Sequence, residues 1–248
     1  MLGSSDSISE ANVVLNTAVA DELKQFADLL ENASDFEKEL HALIKKVVTE
    51  HDRIIFNGNG YDDAWRFEAE QRGLLNLKST PDALPYLLHQ KNIDLFTSHK
   101  VYSEEELRAR FEILSEKYSK IINIEALTML DMVNKDILPA ESRYIHELAL
   151  TANAKRELDT LISCDYEEEL VKELSKLASA VFAKKKELEN DMIEANDCED
   201  AAELARFSKD RIFARMTELR ILVDELEIKT GASYWPYPSY GDILFSVK

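Results

Sequence analysis

The sequence predicts an all-α protein: an antiparallel bundle of long helices with a smaller helical part on its N-terminal side. Two observations predict it. Only 6 Gly and 5 Pro occur in 248 residues, too few to punctuate many short strands. Apolar residues also recur in alternating three- and four-residue steps over long stretches, the period that lines one face of a helix. With 45% hydrophobic and 31% charged residues, the chain carries enough apolar material for a core and enough charge for a hydrated surface.

Helix starts are expected where a Ser or Thr hydroxyl can accept from the free N–H groups of a first turn while a Glu three residues on reaches back. Ser7 with Glu10, Ser34 with Glu37 and Ser103 with Glu106 have that spacing, and Thr80 followed by Pro81 is a fourth start, since proline in the first turn gives up an N–H that had no partner. From these starts the predicted helices are 8–31, 35–55, 62–72, 81–98, 104–137, 140–163, 167–195 and 199–229. The loop Asn57-Gly58-Asn59-Gly60 and the turn at Gly73 separate the shorter ones.

Three stripes supply the bundle core. Leu107, Phe111, Leu114, Tyr118 and Ile121 form the first, on a helix that Pro139 should end or kink. Leu170, Leu174, Leu177, Val181 and Leu188 form the second, and Ala205, Ile212, Met216, Leu219, Val223 and Leu226 the third, near the seven-residue repeat of antiparallel bundles. The expected organisation is 1–100 as a short-helix region, 101–233 as the long-helix bundle and 234–248 as a tail rich in Pro and aromatic residues. Tyr234, Trp235, Tyr237, Tyr240, Leu244 and Phe245 carry too much apolar area for water, so the tail is expected to be ordered and to fold back on helices.

A net charge of -18 would repel a phosphate backbone, so nucleic acid is not an expected partner. The basic run Lys184-Lys185-Lys186 runs straight into Glu187 and Glu189 and reads as a solvated helix face. Cys164 and Cys198 form neither a disulfide framework nor a zinc site, and no stretch approaches the ~20 continuous apolar residues of a membrane span. The expected location is the cytoplasm, with no membrane partner.

Searched for chemistry, the chain offers little. His146-Glu147 begins like a metalloprotease helix, but position 150 is Leu150, so a second imidazole on the same face is missing. His41, His51, His89 and His99 have no partner at ligand spacing. Asn57, Asn59, Tyr61 and Glu68 imitate a calcium loop whose sharp-turn position holds Asp62 where glycine is needed, and no G-K-[ST] follows the glycines to cradle a phosphate. The runs Glu104-Glu105-Glu106 and Glu167-Glu168-Glu169 sit at helix starts, where negative charge favours the helix dipole. No catalytic, cofactor-binding or metal-ligating residue is assigned, so none of these bound groups is expected for the chain alone.

A family resemblance runs through nearly the whole chain. Gly3-Ser4-Ser5-Asp6-Ser7-Ile8 with Val14-Leu15-Asn16-Thr17, then Arg53 to Tyr61, Arg72-Gly73-Leu74-Leu75-Asn76-Leu77 and Asn123 to Met129, resemble in order the C-terminal helical region of type III glutamine synthetases. So does the ending Trp235-Pro236-Tyr237-Pro238-Ser239-Tyr240-Gly241-Asp242 with Leu244-Phe245. A departure at Ser9-Glu10-Ala11, where the family has Gly-Pro, touches only the start of the first helix. The resemblance implies an ATP-dependent glutamate–ammonia ligase of stacked rings, using ATP and Mg or Mn in the intact enzyme. Its catalytic residues would lie upstream of Met1, and the upstream catalytic domain and further copies of the chain would be the partners. Two other readings stay open: a stand-alone helical interaction module, and a polyproline-type ligand in the tail.

Overall fold

The structure is a computed structural model that describes residues 7–245; the resembling residues 3–6 and the tail end at 246–248 lie outside the described residues. No strand occurs among the described residues. The chain divides into two compact units, Met1–Leu114 and Ser115–Lys248.

Unit 1 contains α1 (Ser9–Leu30), α2 (Phe36–Glu50), α3 (Asp63–Gln71), α4 (Thr80–Ala83), α5 (Gln90–Ser98) and the first turns of α6 (Glu104–Met132), with 3-10 turns at Asp52–Ile54 and Leu84–Leu88. Its fully buried apolar cluster is small: Ile93, Phe96 and Leu107, with Val13, Leu87, Leu88 and Tyr102 packed against it. Polar contacts do the rest of the joining. Asp21 meets His99 Nε2 at 2.8 Å, Arg110 reaches Glu10 at 2.7 Å, and the Arg110 guanidinium lies 4.1 Å from the centre of the Tyr102 ring.

The helix starts show where local chemistry overrode the expected caps. Ser103 and Glu106 exchange both bonds of the capping box. Elsewhere the cap slides by a residue or more. α1 starts at Ser9 behind Ile8, which has no side-chain bond to the helix; Asp35 rather than Ser34 accepts from Lys38 N; and Ser79 rather than Thr80 accepts from Asp82 N. Asp and Ser are both strong caps, so adjacent candidates compete and backbone φ/ψ decides. The expected helix 81–98 tightens to a 3-10 turn at Leu84–Leu88 and is broken at His89, which is extended and caps α5 through Lys91 N.

α3 and α5 end the same way. Leu74 N–H reaches Ala69 O and Gly73 N–H reaches Glu70 O; Val101 N–H reaches Phe96 O and Lys100 N–H reaches Thr97 O. Both are Schellman turns, which need a left-handed residue just past the helix. Gly73 supplies it at φ 73, whereas Lys100 is forced to φ 55.

Unit 2 contains the remainder of α6, then α7 (Leu138–Leu158), α8 (Asp165–Glu194), α9 (Ala201–Phe207), α10 (Ala214–Lys229) and α11 (Tyr240–Leu244). α6 and α7 are one continuous helical run joined by a π-helical turn at Val133–Ile137, and α9 and α10 are joined likewise at Ser208–Phe213. Pro139 therefore neither ends nor interrupts the helix. Its ring would clash with the carbonyl four residues back, and the wide turn, in which Leu138 N–H bonds Val133 O, makes room. Across each π turn the buried positions include two successive steps of four, Val133, Ile137, Glu141 and Ser208, Ile212, Met216, with Ala140 buried beside the first set.

The three rods run up, down and up. Near the first connection Lys155 bonds Glu167 at 2.6 Å and Arg156 bonds Glu168; across the second pair Lys229 meets Glu173 at 2.9 Å and Arg211 meets Asp191 at 2.6 Å, which fixes both neighbours as antiparallel. Between them lie Ile122, Ala126, Leu130, Val133, Ile137 and Leu148 from the first rod, Leu174, Val181 and Leu188 from the second, and Ile212, Met216, Leu219, Val223 and Leu226 from the third. The second and third stripes are those expected. The first is shifted: Phe111, Leu114 and Tyr118 are half-buried and Ile121 is 44% exposed, the seam passing through Ser115, Ser119 and Ile122 instead. Neighbouring positions differ by about 100° around a helix, so one residue moves a side chain out of a seam.

The tail divides. Trp235 and Tyr237 pack on the unit 2 core, and the Tyr234 ring lies 4.9 Å from that of Tyr144. Tyr240 and Leu244 on α11 and Phe245 just past it, expected to be buried, are exposed to 84%, 68% and 82%; α11 is a short helix capped reciprocally by Ser239 and Asp242.

Candidate functional site

The residues that carried chemical suggestions in the sequence are occupied with local work. His146 is exposed on α7. His41 Nδ1 is 2.9 Å from Glu37 O in its own helix, and His89 and His99 are taken up by the α5 cap and by Asp21. Lys184 bonds Glu187 and Glu218, Lys185 pairs with Glu189, and Lys186 lies 4.5 Å from the centre of the Phe182 ring. Glu104 pairs with Arg108 and Glu106 closes its capping box. Among the described residues no three His, Cys, Asp or Glu side chains converge as a metal-holding group, and no helix is long and apolar enough to cross a membrane.

Three features are built rather than incidental. The first is the loop Asn57-Gly58-Asn59-Gly60, held from behind. Arg72 donates to Arg53 O at 3.3 Å and Ile55 O at 3.0 Å while paired with Glu68; its guanidinium lies 5.5 Å from the Trp65 ring, which stacks on Phe56 at 3.9 Å. Gly58 fits closely here, because a Cβ would stand 2.6 Å from the Phe56 ring and push it off the Trp65 stack.

The second is an ionic web across α8 and α10. Asp191, whose side chain is 4% exposed, accepts from Arg211 with one oxygen and from Arg215 with the other at 3.1 Å, and Glu194, Glu187, Glu218 and Lys184 extend the chain of charges. Its hydrogen bond with Asp191 is the main cause that holds each arginine's pKa above its ordinary value, and Lys184 and Arg215 hold the Glu218 carboxyl below its own. Two guanidinium groups sharing one buried carboxylate satisfy it completely and fix the helix register.

The third is where α10 ends. Glu141, on α7, is 1% exposed and touches Thr230 Oγ1 at 2.7 Å, while its other oxygen has no partner among the described residues. Burial is the main influence on its carboxyl and pushes it above the ordinary range. Sequence reasoning passed over Glu141, yet the signal was there: it stands four residues after Ile137 and seven before Leu148, on the buried face. Further along, the tail lines a hollow of about 490 Å³ walled by Met129, Met132, Val133, Met216, Leu219 and Trp235. Tyr237 donates to Asp136 at 2.8 Å, and burial first, then that carboxylate, pushes its phenol up to about 12.

Residues 39–156 match the family model described as glutamine synthetase C-terminal domain. Those residues belong to the glutamine synthetase C-terminal domain family. The chain is 36% identical over 217 residues to a glutamine synthetase of Butyrivibrio fibrisolvens, an alignment covering 88% of this chain and 31% of that protein. It is 32% identical over 259 residues to the type-3 glutamine synthetase of Dictyostelium discoideum, covering 98% of this chain and 34% of the relative. For a glutamine synthetase of Bacteroides fragilis the identity is 28% over 257 residues, with 98% and 35% covered. The chain thus spans about a third of the length of the relatives it matches.

Proposed function

We propose that the chain is the C-terminal helical region of a type III glutamine synthetase, the ligase that joins ammonia to glutamate through a γ-glutamyl phosphate formed from ATP, and that its own part is structural. The observation that carries this reading is the pair of coverages: 98% of this chain against 34% of the type-3 relative. The groups that hold ATP, glutamate and Mg or Mn belong, on this reading, to the part of the relatives that this chain does not match. Phosphoryl transfer needs metal ions and cationic groups placed around the moving phosphoryl, and a chain without them does not catalyse it.

The partner is the upstream catalytic part of the same polypeptide. α1 supports this. One of its faces is used inside unit 1, through Val13, through Thr17, which is 4% exposed, and through Asp21. The opposite face carries Leu15, Val19 and Leu23 in steps of four, exposed to 63%, 56% and 61%. A helix already packed through one face and apolar on the other is made to be covered on both. Ring assembly and a cytoplasmic location go with the same reading.

The test is glutamine formation from ATP, magnesium, glutamate and ammonia, by the purified chain and by the chain joined to its upstream catalytic part. The joined form is expected to be active and the chain alone to stay at background. Activity of the chain alone that survives further purification, or an inactive joined form, refutes the proposal.

A further inference from the structure

Thr230 lies one residue past the end of α10, and its hydroxyl carries a single proton. Two oxygens stand 2.7 Å from Thr230 Oγ1: the Leu226 carbonyl of its own helix and Glu141 Oε2 of α7. A carbonyl only accepts, so it takes the hydroxyl proton. The second short contact then requires a proton on the carboxyl. A carboxylate there would set lone pair against lone pair in a place closed to water, and Glu141 is 1% exposed. The unpartnered Glu141 Oε1 agrees, because the carbonyl oxygen of a neutral acid tolerates having no partner far better than a charged oxygen does.

The groups around Glu141 and its neighbour Tyr144 offer no counter-charge. Tyr144 comes from the same helix, Tyr234 from the tail, Tyr166 from α8 against Tyr144, and Thr230 from the end of α10. None of these side chains carries a positive charge, and among the described residues no Lys or Arg pairs with Glu141.

We propose that Glu141 is kept as a neutral carboxylic acid that donates to Thr230, latching the end of α10 and the tail that follows it onto α7, and that its ionisation opens this latch. The tail turns immediately after the latched residue. Gly231 O accepts from Tyr234 N and Trp235 N, and a Cβ on Gly231 would stand 3.2 Å from the Tyr144 ring, so the chain here follows α7 closely. Releasing Thr230 therefore frees the segment that places Trp235 and Tyr237 on the core.

The folded-state carboxyl lies above the ordinary 4.5 of the open state, so the stabilisation is fully present below that value. It is lost as pH rises toward the raised one, and the opening constant grows about tenfold per pH unit across that window before levelling.

The experiment uses the full chain. Carboxyl carbon NMR with labelled glutamate is expected to show one glutamate of the native sequence titrating above the ordinary carboxylate range, and Glu141→Gln to remove that resonance. Hydrogen exchange in 226–237, referred to 174–188 at each pH, is expected to open with rising pH in the native sequence and to stay flat in Glu141→Gln, which can donate but not ionise. The proposal is overturned if all glutamate resonances of the native sequence titrate in the ordinary range. It is equally overturned if the native sequence and Glu141→Gln open in parallel.

Discussion

Leu188 and Leu219 are both fully buried in the unit 2 core, so burial alone predicts equal losses when either is cut to Ala. Their surroundings differ. Leu219 forms part of the wall of the hollow of about 490 Å³, shared with Met129, Met132 and Met216, whereas Leu188 does not line it. Leu-to-Ala losses of roughly 2.7–5.0 kcal/mol grow with the cavity left behind, and flexible Met side chains relax into space more readily than branched ones. Leu188→Ala is therefore expected to lose about 4 kcal/mol and Leu219→Ala about 2–3 kcal/mol. Guanidinium unfolding followed by far-ultraviolet circular dichroism measures both, provided the denaturant slope is unchanged. The melting temperatures should differ by about 3–6 °C. Equal losses, or a larger one at Leu219, would refute the claim that the hollow is slack already present in the packing.

Two further outcomes are expected. Trp235→Ala should lose about 2–3 kcal/mol and lower the melting temperature, since the half-buried indole packs on the bundle core; unchanged melting would make the docked part of the tail a free arm. The two Schellman turns should respond with opposite signs: Gly73→Ala loses about 1 kcal/mol by forcing a Cβ into φ 73, and Lys100→Gly gains up to about 1 kcal/mol by relieving φ 55. Thermal melts of the two variants side by side check this, and shifts of the same sign would contradict it.

Long periodic stretches were legible and their phase only partly so. The stripes of α8 and α10 could be read directly because Leu174, Val181 and Leu188, and Met216, Leu219, Val223 and Leu226, are strong apolar markers. The first rod misled at Ile121 because its seam there is built from Ser115 and Ser119, small residues that hydropathy does not flag. The π turns were invisible, since a four-then-four step looks like ordinary helical scatter. In the tail, total apolar area suggested burial throughout, but the capping box of Ser239 and Asp242 gives 240–244 a local structure of its own, and its apolar face is left outward. As for function, no single residue spoke for it. Ordered stretches such as Arg53 to Tyr61 did, and the structure shows why that string holds together: Gly58 makes room for Phe56, and Arg72 ties Arg53 and Ile55.

The two π turns also set how this fold accommodates change in chain length. A residue inserted into or removed from a regular helix turns everything beyond it by about 100° and takes the seam away from its partners. A π turn holds one residue more than the seam requires, so the phase on either side is already reconciled to an odd count. Val133–Ile137 and Ser208–Phe213 are consequently the places in the first and third rods where a one-residue deletion can relax to plain α-helix with both flanking seams still in register. In α8, whose span Asp165–Glu194 has no such turn, the same deletion would pull Leu174, Val181 and Leu188 off a common line.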